Sequence, residues 1–446
     1  MRRAGFLLAA VLVCRSPAHA AETPTPIETI TLKNGIGLLL APDPQAKAVN
    51  VSVWYDAGSR YDKPDRTGVA HLFEHLMFDG SAHYPSGQHA KLVRGEGGAS
   101  GGYATSDFVA FYQTLPSDAL ELAFKLEADR MTGLELTQAS LDLERSGVAD
   151  ERERRSTPLT LGLQRLYALM FPASAYGIPV FGRESDLPRI TLKDLDEFRR
   201  RQFVPARARV TVVGNFRRDD ALALAKKYLE PLKGSGAKPG PAIAEKPQTN
   251  ERRTVERAKT PVRVLVLGWR LPPRTDRDWS VYNLLASHLT RGDDAPLARA
   301  LVKDRPLCLS VQGDVESRRD ASMFYLAAAL APRADSAEVE RTLLDGVEAA
   351  ARDLPTDDQL EGDKRLAEIA LWYNLGTTSG RAQALGLGWM LAGDPADYQR
   401  QIERIRNATP QDLKNAAGKL TPAQRNLVWL MPAVADTAAR GGGSGR

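Results

Sequence analysis

The hydrophobic pattern near the start of the chain is typical of β-strands. Two alternating apolar and polar runs, 28–32 and 36–40, flank Asn34-Gly35, which predicts a hairpin. A third apolar run at 49–55 predicts another strand, whereas 117–131 has apolar residues at helical spacing. Strands and helices are mixed without the regular alternation of a parallel barrel, which favours a layered α+β domain.

The order of elements recurs in the second half of the chain. Strand-like runs at 262–269 and 322–330 are followed by helical runs at 279–289 and 336–352. We therefore predict an α+β protein made of two homologous layered α/β domains. Each domain is predicted to have an antiparallel-rich sheet with helices on one face.

Composition predicts where the domains end. Residues 233–250 are rich in Gly, Pro, Ala and Lys and have no apolar period, which is typical of a linker. The predicted domains are therefore 21–232 and 251–436. Residues 437–446 end in the glycine-rich run 441–446 and are predicted to be a flexible tail.

Residues 1–20 match a secretory signal peptide. Arg2 and Arg3 precede a short apolar run, and Ala18-His19-Ala20 matches the small-x-small cleavage pattern. Cleavage after Ala20 predicts a periplasmic or secreted protein. No other stretch approaches eighteen continuous apolar residues, so no transmembrane segment is predicted.

Composition sets only weak limits on partners. Hydrophobic residues make up 43% and charged residues 26% of the chain, as in globular proteins. The net charge of +5 is dispersed through mixed Arg and Asp/Glu stretches. No zinc-finger spacing or basic-aromatic motif accompanies this charge, so we predict no nucleic-acid partner.

The segment His71-Leu72-Phe73-Glu74-His75 has the clearest chemistry. Two histidines four apart share a helix face, so both imidazoles point at one place. Imidazole suits zinc, and Glu74 stands where a carboxylate could act on a water bound to the metal. H-x-x-E-H is the inverted form of the H-E-x-x-H zinc-protease pattern. The sequence therefore predicts a Zn²⁺ site.

A catalytic zinc ion usually has three protein ligands, so a third ligand is needed. The helix predicted over 140–155 offers four acidic candidates, which are Glu144, Asp150, Glu151 and Glu153. Glu144 and Glu151 are seven apart and share a face. Spacing alone does not choose among the four.

The second half provides an internal comparison. In the aligned segment Asn283–Leu289, Leu284 stands in place of His71 and Ser287 in place of Glu74. The second domain is therefore predicted to keep the helix and to lack the zinc motif.

Other charged groups near the motif have simpler interpretations. We predict a solvated helix face at Arg152, Arg154 and Arg155. We also predict that two further histidines, His83 and His89, are solvated and are not metal ligands.

These motifs resemble the pitrilysin and mitochondrial-processing-peptidase family of inverted-motif zinc peptidases. The family pattern is H-x-x-E-H followed by a Glu-x6-Glu pair, and Glu151 lies 76 residues after His75. Further matching pieces are Gly97-Gly98, Asp107, Pro172 to Pro179, Gly182 and Val212 to Asn215. The resemblance covers nearly all of the chain after residue 20 and is strongest from 68 to 214.

The resemblance implies a role for each residue of the motif. His71, His75 and Glu151 are expected to bind Zn²⁺, Glu144 to orient a ligand imidazole, and Glu74 to act as general base. The implied activity is that of a metalloendopeptidase on peptides or unfolded segments. The two domains together are expected to form half of a clamshell around the peptide.

In this family the substrate adds as a strand to a sheet edge near the metal. The resembling segment is about 100–105, so Gly101, Gly102 and Tyr103 are predicted to contact the peptide substrate. The family usually has Asn-Ala at Gly101-Gly102 and Thr at Ala104. The side-chain amide that helps to hold the peptide is therefore missing.

A second departure concerns the second domain. Family members have an Arg and a Tyr seven apart that reach the substrate, and the aligned positions are Val302 and Leu309. Neither side chain can donate a hydrogen bond. Some two-subunit members divide these parts between chains. We therefore predict that this chain is the zinc-bearing subunit of a heterodimer whose related partner supplies the Arg/Tyr pair.

Two alternatives stay open at this stage. One is a peptide-binding or assembly subunit of the same fold with weak or no activity alone. The other is a zinc enzyme of a different class, such as an amide hydrolase that acts on a small molecule.

Overall fold

The structure, a computed structural model, describes residues 27–234 and 245–433. The predicted signal peptide (1–20), the predicted tail (437–446) and most of the predicted linker lie outside these ranges. Within them, no helix is both long enough and apolar enough to cross a membrane.

The elements are numbered in chain order. The strands are β1 Glu28–Thr31, β2 Gly37–Pro42, β3 Ala48–Tyr55, β4 Ala99–Ala104, β5 Val109–Pro116, β6 Ala208–Gly214, β7 Arg252–Ala258, β8 Val264–Leu271, β9 Cys308–Glu316, β10 Ser322–Leu330 and β11 Asn426–Pro432. The helices are α1 Val69–Leu76, α2 Gln88–Gly95, α3 Leu120–Gly133, α4 Gln138–Arg155, α5 Pro158–Met170, α6 Leu192–Gln202, α7 Arg218–Leu224, α8 Trp279–Thr290, α9 Pro296–Ala298, α10 Ser336–Arg352, α11 Asp357–Leu375, α12 Thr378–Leu387, α13 Asp397–Asn407 and α14 Pro410–Gly418. Short π-helical turns follow α7, α9 and α12, at Ala225–Leu229, Arg299–Lys303 and Gly388–Ala392.

Two sheets repeat the same topology. Sheet 1 has the order β1-β2-β6-β3-β5-β4, and sheet 2 has the order β7-β11-β8-β10-β9. In each sheet one pair is parallel, β2 with β6 and β7 with β11, and the other neighbours are antiparallel. The repeated order confirms the predicted fold class of two homologous α/β layers.

The two sheets lie on either side of residues 235–244 in the sequence. We retain the predicted domain bounds, 21–232 and 251–436 with a linker at 233–250, as a proposal.

In each half, helices of that half cover one face of its sheet. One helix from the other half packs on the opposite face. The core of the first half packs α1 and α3 against the inner face of sheet 1. The outer face of sheet 1 is covered by α12, with Leu385 packed on Leu39 and Val213. In exchange, α5 from the first half packs Leu166 and Met170 against sheet 2. Apolar packing at both of these helices therefore helps to hold the halves together.

Most elements lie where the apolar pattern predicts them, with two differences. The pattern indicates one strand over 103–114, but the structure has the hairpin β4–β5 with a turn at Thr105–Phe108. That interpretation was wrong because the polar turn is short and both flanks are apolar. Strands β7 and β9 were not predicted, since both are sheet edges with many exposed polar residues.

The contact between α12 and sheet 1 depends on a glycine. A Cβ atom on Gly386 would overlap the indole ring of Trp54. We expect Gly386→Ala to lower the free energy of unfolding by about 1–3 kcal/mol, because the helix must move off the sheet. Urea unfolding of the whole chain measures this change.

The matched control is Gly362→Ala in α11, where an added Cβ atom meets nothing within 4 Å. That variant should be neutral or more stable by about 0.5–1 kcal/mol, since Ala favours a helix interior. Equal effects of the two substitutions would contradict the close packing of α12 on sheet 1.

Candidate metal centre

The helix that bears both histidines begins with a buried cap. Gly68 precedes α1 with φ of +95°, a conformation that glycine adopts without strain. The Asp62 carboxylate accepts hydrogen bonds from the backbone N–H groups of Gly68 (2.7 Å) and Ala70 (3.0 Å). These amides would otherwise lack partners at the helix start. Asp62 therefore fixes where α1 begins.

The side chains of His71 and His75 converge on α4, which packs across α1. Glu151 Oε2 lies 2.9 Å from His75 Nε2 and 3.5 Å from His71 Nε2. Tetrahedral ligands about 2.1 Å from a zinc ion lie roughly 3.4 Å apart. Two imidazole nitrogens and one carboxylate oxygen at these separations therefore fit a zinc ion.

Glu74 is a rival for the third ligand position. The ligand atoms of His71, Glu74 and His75 all lie within 4.8 Å of one another, and Glu74 Oε2 is 3.7 Å from His71 Nε2. Glu151 is closer than this to both imidazoles. The separations therefore favour Glu151 as the third ligand and leave the Glu74 carboxylate beside the metal position.

The remaining polar atoms of His75 and Glu151 have partners, whereas His71 Nδ1 is buried and has no hydrogen-bond partner among the described residues. Glu144 Oε2 lies 2.9 Å from His75 Nδ1, so this carboxylate orients the ring. Glu151 Oε1 forms an ion pair with Arg155 at 2.7 Å, and Glu151 Oε2 is turned toward the imidazoles. Glu151 and Arg155 are four residues apart on α4, a spacing that favours such an ion pair.

The titration of the carboxylates differs with their surroundings. Burial raises the pKa of Glu74 to about 7. Hydrogen bonding by His71 holds the pKa of Glu151 at about 2, although partial burial opposes this shift. Burial lowers the pKa of His71. Near neutral pH, Glu151 is therefore a carboxylate and His71 a neutral imidazole, which are the forms that bind metals.

The edge strand β4 runs beside this cluster. A Cβ atom on Gly102 would lie 3.1 Å from Glu74 Oε1 and 2.8 Å from the ring of Phe111, so a side chain there would crowd the carboxylate. On the other face of the strand, a Cβ atom on Gly101 would meet the phenol of Tyr112. The two glycines that depart from the family pattern therefore fit the neighbours that they have in this chain.

Tyr103, the third residue predicted to contact substrate, has its side chain turned away from the histidines. Its ring packs edge-on against Trp54, with ring centroids 6.3 Å apart, and its hydroxyl accepts a hydrogen bond from Gln383 of α12. Only the backbone of Tyr103 is therefore placed for strand pairing.

The loop that contains Phe181 packs against His71. The ring of Phe181 packs edge-on against His71, with centroids 4.6 Å apart. Arg152 of α4 donates hydrogen bonds to the carbonyl groups of Phe181 (2.6 Å) and Gly182 (3.0 Å). The interpretation of Arg152 as part of a solvated face was therefore wrong. His89 is also buried rather than solvated, whereas His83 is exposed as predicted.

The second half has a histidine–carboxylate contact that corresponds to the contact of His75 with Glu144. His288 on α8 has its Nδ1 atom 2.9 Å from Asp363, the seventh residue of α11, as Glu144 is the seventh residue of α4. The fourteenth residue is Glu151 in α4 and Ala370 in α11. The second half therefore retains one histidine with a bonded carboxylate and lacks counterparts of His71, Glu74 and Glu151 at the aligned positions.

The positions aligned with the family's Arg and Tyr lie on the surface of the second half. Val302 is 36% exposed in the π-helical turn after α9, and Leu309 is 59% exposed on β9. Both side chains are therefore available to a neighbouring molecule but cannot donate hydrogen bonds to it.

Comparison with known families agrees with this geometry. The model of the insulinase family, peptidase family M16, matches residues 38–182, and the model of the peptidase M16 inactive domain matches residues 189–366. Together they span most of the chain. The chain belongs to the pitrilysin (M16) family of zinc peptidases, as its motifs predict.

Relatives and solved structures extend the match over the whole fold. The zinc protease PqqE of Helicobacter pylori is 26% identical over 424 residues, 93% of this chain and 95% of that protein. An uncharacterized zinc protease of Streptomyces coelicolor is 23% identical, over 93% of this chain and 91% of that protein. The crystal structure of a protease from Helicobacter pylori matches with a TM-score of 0.87 at 25% identity, over 92% of this chain and 100% of the other. The names of both relatives agree with the predicted cofactor, Zn²⁺.

The cap on α1 can be tested by removing the Asp62 carboxylate. We expect Asp62→Ala to lower the free energy of unfolding by about 1–2 kcal/mol, because two backbone amides lose their acceptor. Asp62→Asn keeps an acceptor oxygen and should lose less. Urea unfolding of the metal-free protein measures both values.

Asp65→Ala is the control, since Asp65 is exposed and its ion pairs, with Arg66 and Arg189, lie on the surface. Its effect should stay within about 0.5 kcal/mol. A loss at Asp62 no larger than the loss at Asp65 would show that the cap does not stabilise α1.

Proposed function

We propose that this protein is a zinc-dependent endopeptidase that hydrolyses peptides or unfolded segments bound as an added strand along β4. The observation that carries the proposal is the meeting of α1, α4 and β4. Two imidazoles and the Glu151 carboxylate converge there, and the Glu74 carboxylate lies between them and Gly102.

His71, His75 and Glu151 would hold the zinc ion, and Glu144 would orient the ring of His75. The support for this ligand set is the spacing of the donor atoms and the absence of a closer carboxylate among the described residues. When bound, zinc supplies Lewis acidity to a water molecule and to the scissile carbonyl group.

Glu74 would act as the general base. Its carboxylate would take a proton from the attacking water and later donate that proton to the leaving amine. Its place on α1, one residue before His75 and next to β4, keeps it within reach of both the metal position and a peptide on the strand. The side chain is only 10% exposed, so little bulk water competes for this proton.

The substrate would pair with the free edge of β4. This strand pairs with β5 on one side and is the last strand of sheet 1. Strand addition uses the backbone groups of the peptide, so varied side chains are tolerated. Gly101 and Gly102 add no side-chain hydrogen bonds, and peptide affinity would depend on the backbone of 100–104 together with contacts from elsewhere.

A related partner subunit would complete the active site. Val302 and Leu309 occupy the positions where family members have the Arg/Tyr pair, so a second chain would supply these donors and close the clamshell. The test is peptide hydrolysis by the pure chain and by a mixture with a related chain that has the pair. The mixture should be clearly more active, and equal activity would contradict the heterodimer.

A second candidate function is a peptide-binding or assembly subunit with weak or no activity alone. The absence of polar side chains at Gly101, Val302 and Leu309 favours it. Zinc bound at one equivalent without peptide hydrolysis, with or without a partner chain, would select this candidate.

The site of action would be the periplasm or the medium outside the cell. The support is the sequence of residues 1–20, with cleavage after Ala20. Cell fractionation and N-terminal sequencing of the exported protein test this, and a cytoplasmic protein with an intact N-terminus would contradict it.

Glu74→Gln separates zinc binding from proton transfer. The variant should keep one zinc ion per chain, since the three ligands remain, and kcat should fall by roughly 100- to 10,000-fold because the base is lost. Metal analysis and a quenched-peptide assay measure the two quantities. As a control, Glu153→Gln changes an exposed carboxylate on α4 and should alter neither. Loss of zinc from Glu74→Gln would make Glu74 a ligand instead of a base.

Glu144→Gln tests the orientation of His75. We expect zinc affinity to fall by about 10- to 100-fold, because the ring loses the carboxylate that fixes it. Competition with a zinc chelator measures the change without any assay of activity. Asp150→Asn, an exposed neighbour on the same helix, should bind zinc as the unaltered chain does.

A further inference from the structure

The peptide-binding edge of the first half receives much of its support from the second half. Among the described strands, β4 pairs with β5 alone, and it contains Gly101 and Gly102, which restrict the backbone less than other residues. A strand of this kind needs other contacts to keep one position. Two separate elements of the second half make such contacts.

The first contact comes from α12 and the turn after it. Tyr103 of β4 packs with Trp54 and Phe108 in a cluster that includes Met390 and Leu391. The amide of Gln383 donates a hydrogen bond to the Tyr103 hydroxyl. Since Tyr103 is one residue from Gly102, this contact fixes the strand next to the Glu74 carboxylate.

The second contact comes from the turn between β9 and β10. The backbone N–H of Arg319 donates to Asp107 Oδ2 at 3.0 Å, and Asp107 lies in the turn that joins β4 to β5. Arg60 donates to Asp107 Oδ1 at 2.8 Å and also pairs with Asp320. The Arg60 and Asp107 side chains are 6% and 3% exposed, so solvent weakens this network little.

Tyr176, from the loop after α5, also bonds to Asp107 and to the β9–β10 turn. Its hydroxyl donates to Asp107 Oδ1 at 2.6 Å and accepts from the backbone N–H of Asp320 at 3.3 Å. The β4–β5 turn is therefore bonded to the second half through both backbone and side-chain groups. The end of β4 that leads to this turn cannot shift without breaking them.

We propose that Gln383 and the Arg319–Asp320 turn are positioning residues that set the register of the peptide-binding edge of β4. This inference rests on the proposed strand addition of the substrate. The second half, which lacks zinc ligands, thereby contributes to catalysis by holding the strand with which the substrate pairs. A displaced edge would weaken peptide binding, whereas the metal ligands on α1 and α4 would stay in place.

Gln383→Leu tests the first contact, because leucine has similar bulk and cannot donate a hydrogen bond. We expect KM for a peptide of ten or more residues to rise roughly three- to tenfold, the usual effect of one net hydrogen bond. The kcat and the zinc content should not change. Tyr103→Phe should have the same effect, and the double variant should be no worse than either single variant.

The matched control is Gln399→Leu. Gln399 donates to the hydroxyl of Tyr398 at 3.1 Å on α13, away from β4, so the same kind of contact is removed elsewhere. The control should leave KM unchanged. Asp320→Asn tests the second contact independently, and it should raise KM in the same way. This variant keeps the proposal testable even if Gln383→Leu does not fold.

Amide hydrogen exchange gives a reading that needs no activity. Residues 99–104 should exchange faster in Gln383→Leu and Asp320→Asn than in the unaltered chain, whereas α1 should not. A chain without peptidase activity would contradict the proposed function and leave this reading intact. Unchanged exchange in 99–104, or a fall in kcat or zinc content at constant KM, would overturn the positioning role.

Discussion

The packing of α4 across α1 is the contact on which the site depends. Four-residue spacing brings the rings of His71 and His75 together, but the third donor comes from a different helix. Glu144 and Glu151 contact the same ring from positions two turns apart on α4, so one helix would supply both a ligand and the group that orients another ligand. Both helices are fixed from outside, α1 by Asp62 at its start and α4 by Arg152, which reaches the loop behind His71.

The repeat within the chain shows what this contact requires. The second half has the strand order of sheet 1 without a counterpart of β1, and it has an equivalent pair of helices and an equivalent histidine–carboxylate bond, between His288 and Asp363. Leu284, Ser287 and Ala370 stand where the first half has His71, Glu74 and Glu151. The fold therefore persists without the metal ligands, and the second half has contacts that serve the first half instead.

The sequence was sufficient for the parts of the structure that depend on local order. Asn34-Gly35 predicts the first hairpin, which the structure contains, and the spacing of His71 and His75 predicts two imidazoles on one helix face, which α1 provides. Glu151 needed the family resemblance, since four acidic residues of one helix were equivalent by spacing. Contacts between distant residues, such as Tyr103 with Gln383, 280 positions apart, have no local signal. Strands β7 and β9 were missed because edge strands expose polar residues on both sides.

The central claim is that His71, His75 and Glu151 are the zinc ligands and that Glu74 stays free to act as the base. The most direct test is anomalous diffraction at the zinc edge from crystals of the zinc-loaded protein. The account predicts a single zinc ion bonded to Nε2 of both histidines and to a Glu151 oxygen, with Glu144 on His75 Nδ1. A zinc ion bonded to Glu74 in place of Glu151, or bound elsewhere in the chain, would contradict it.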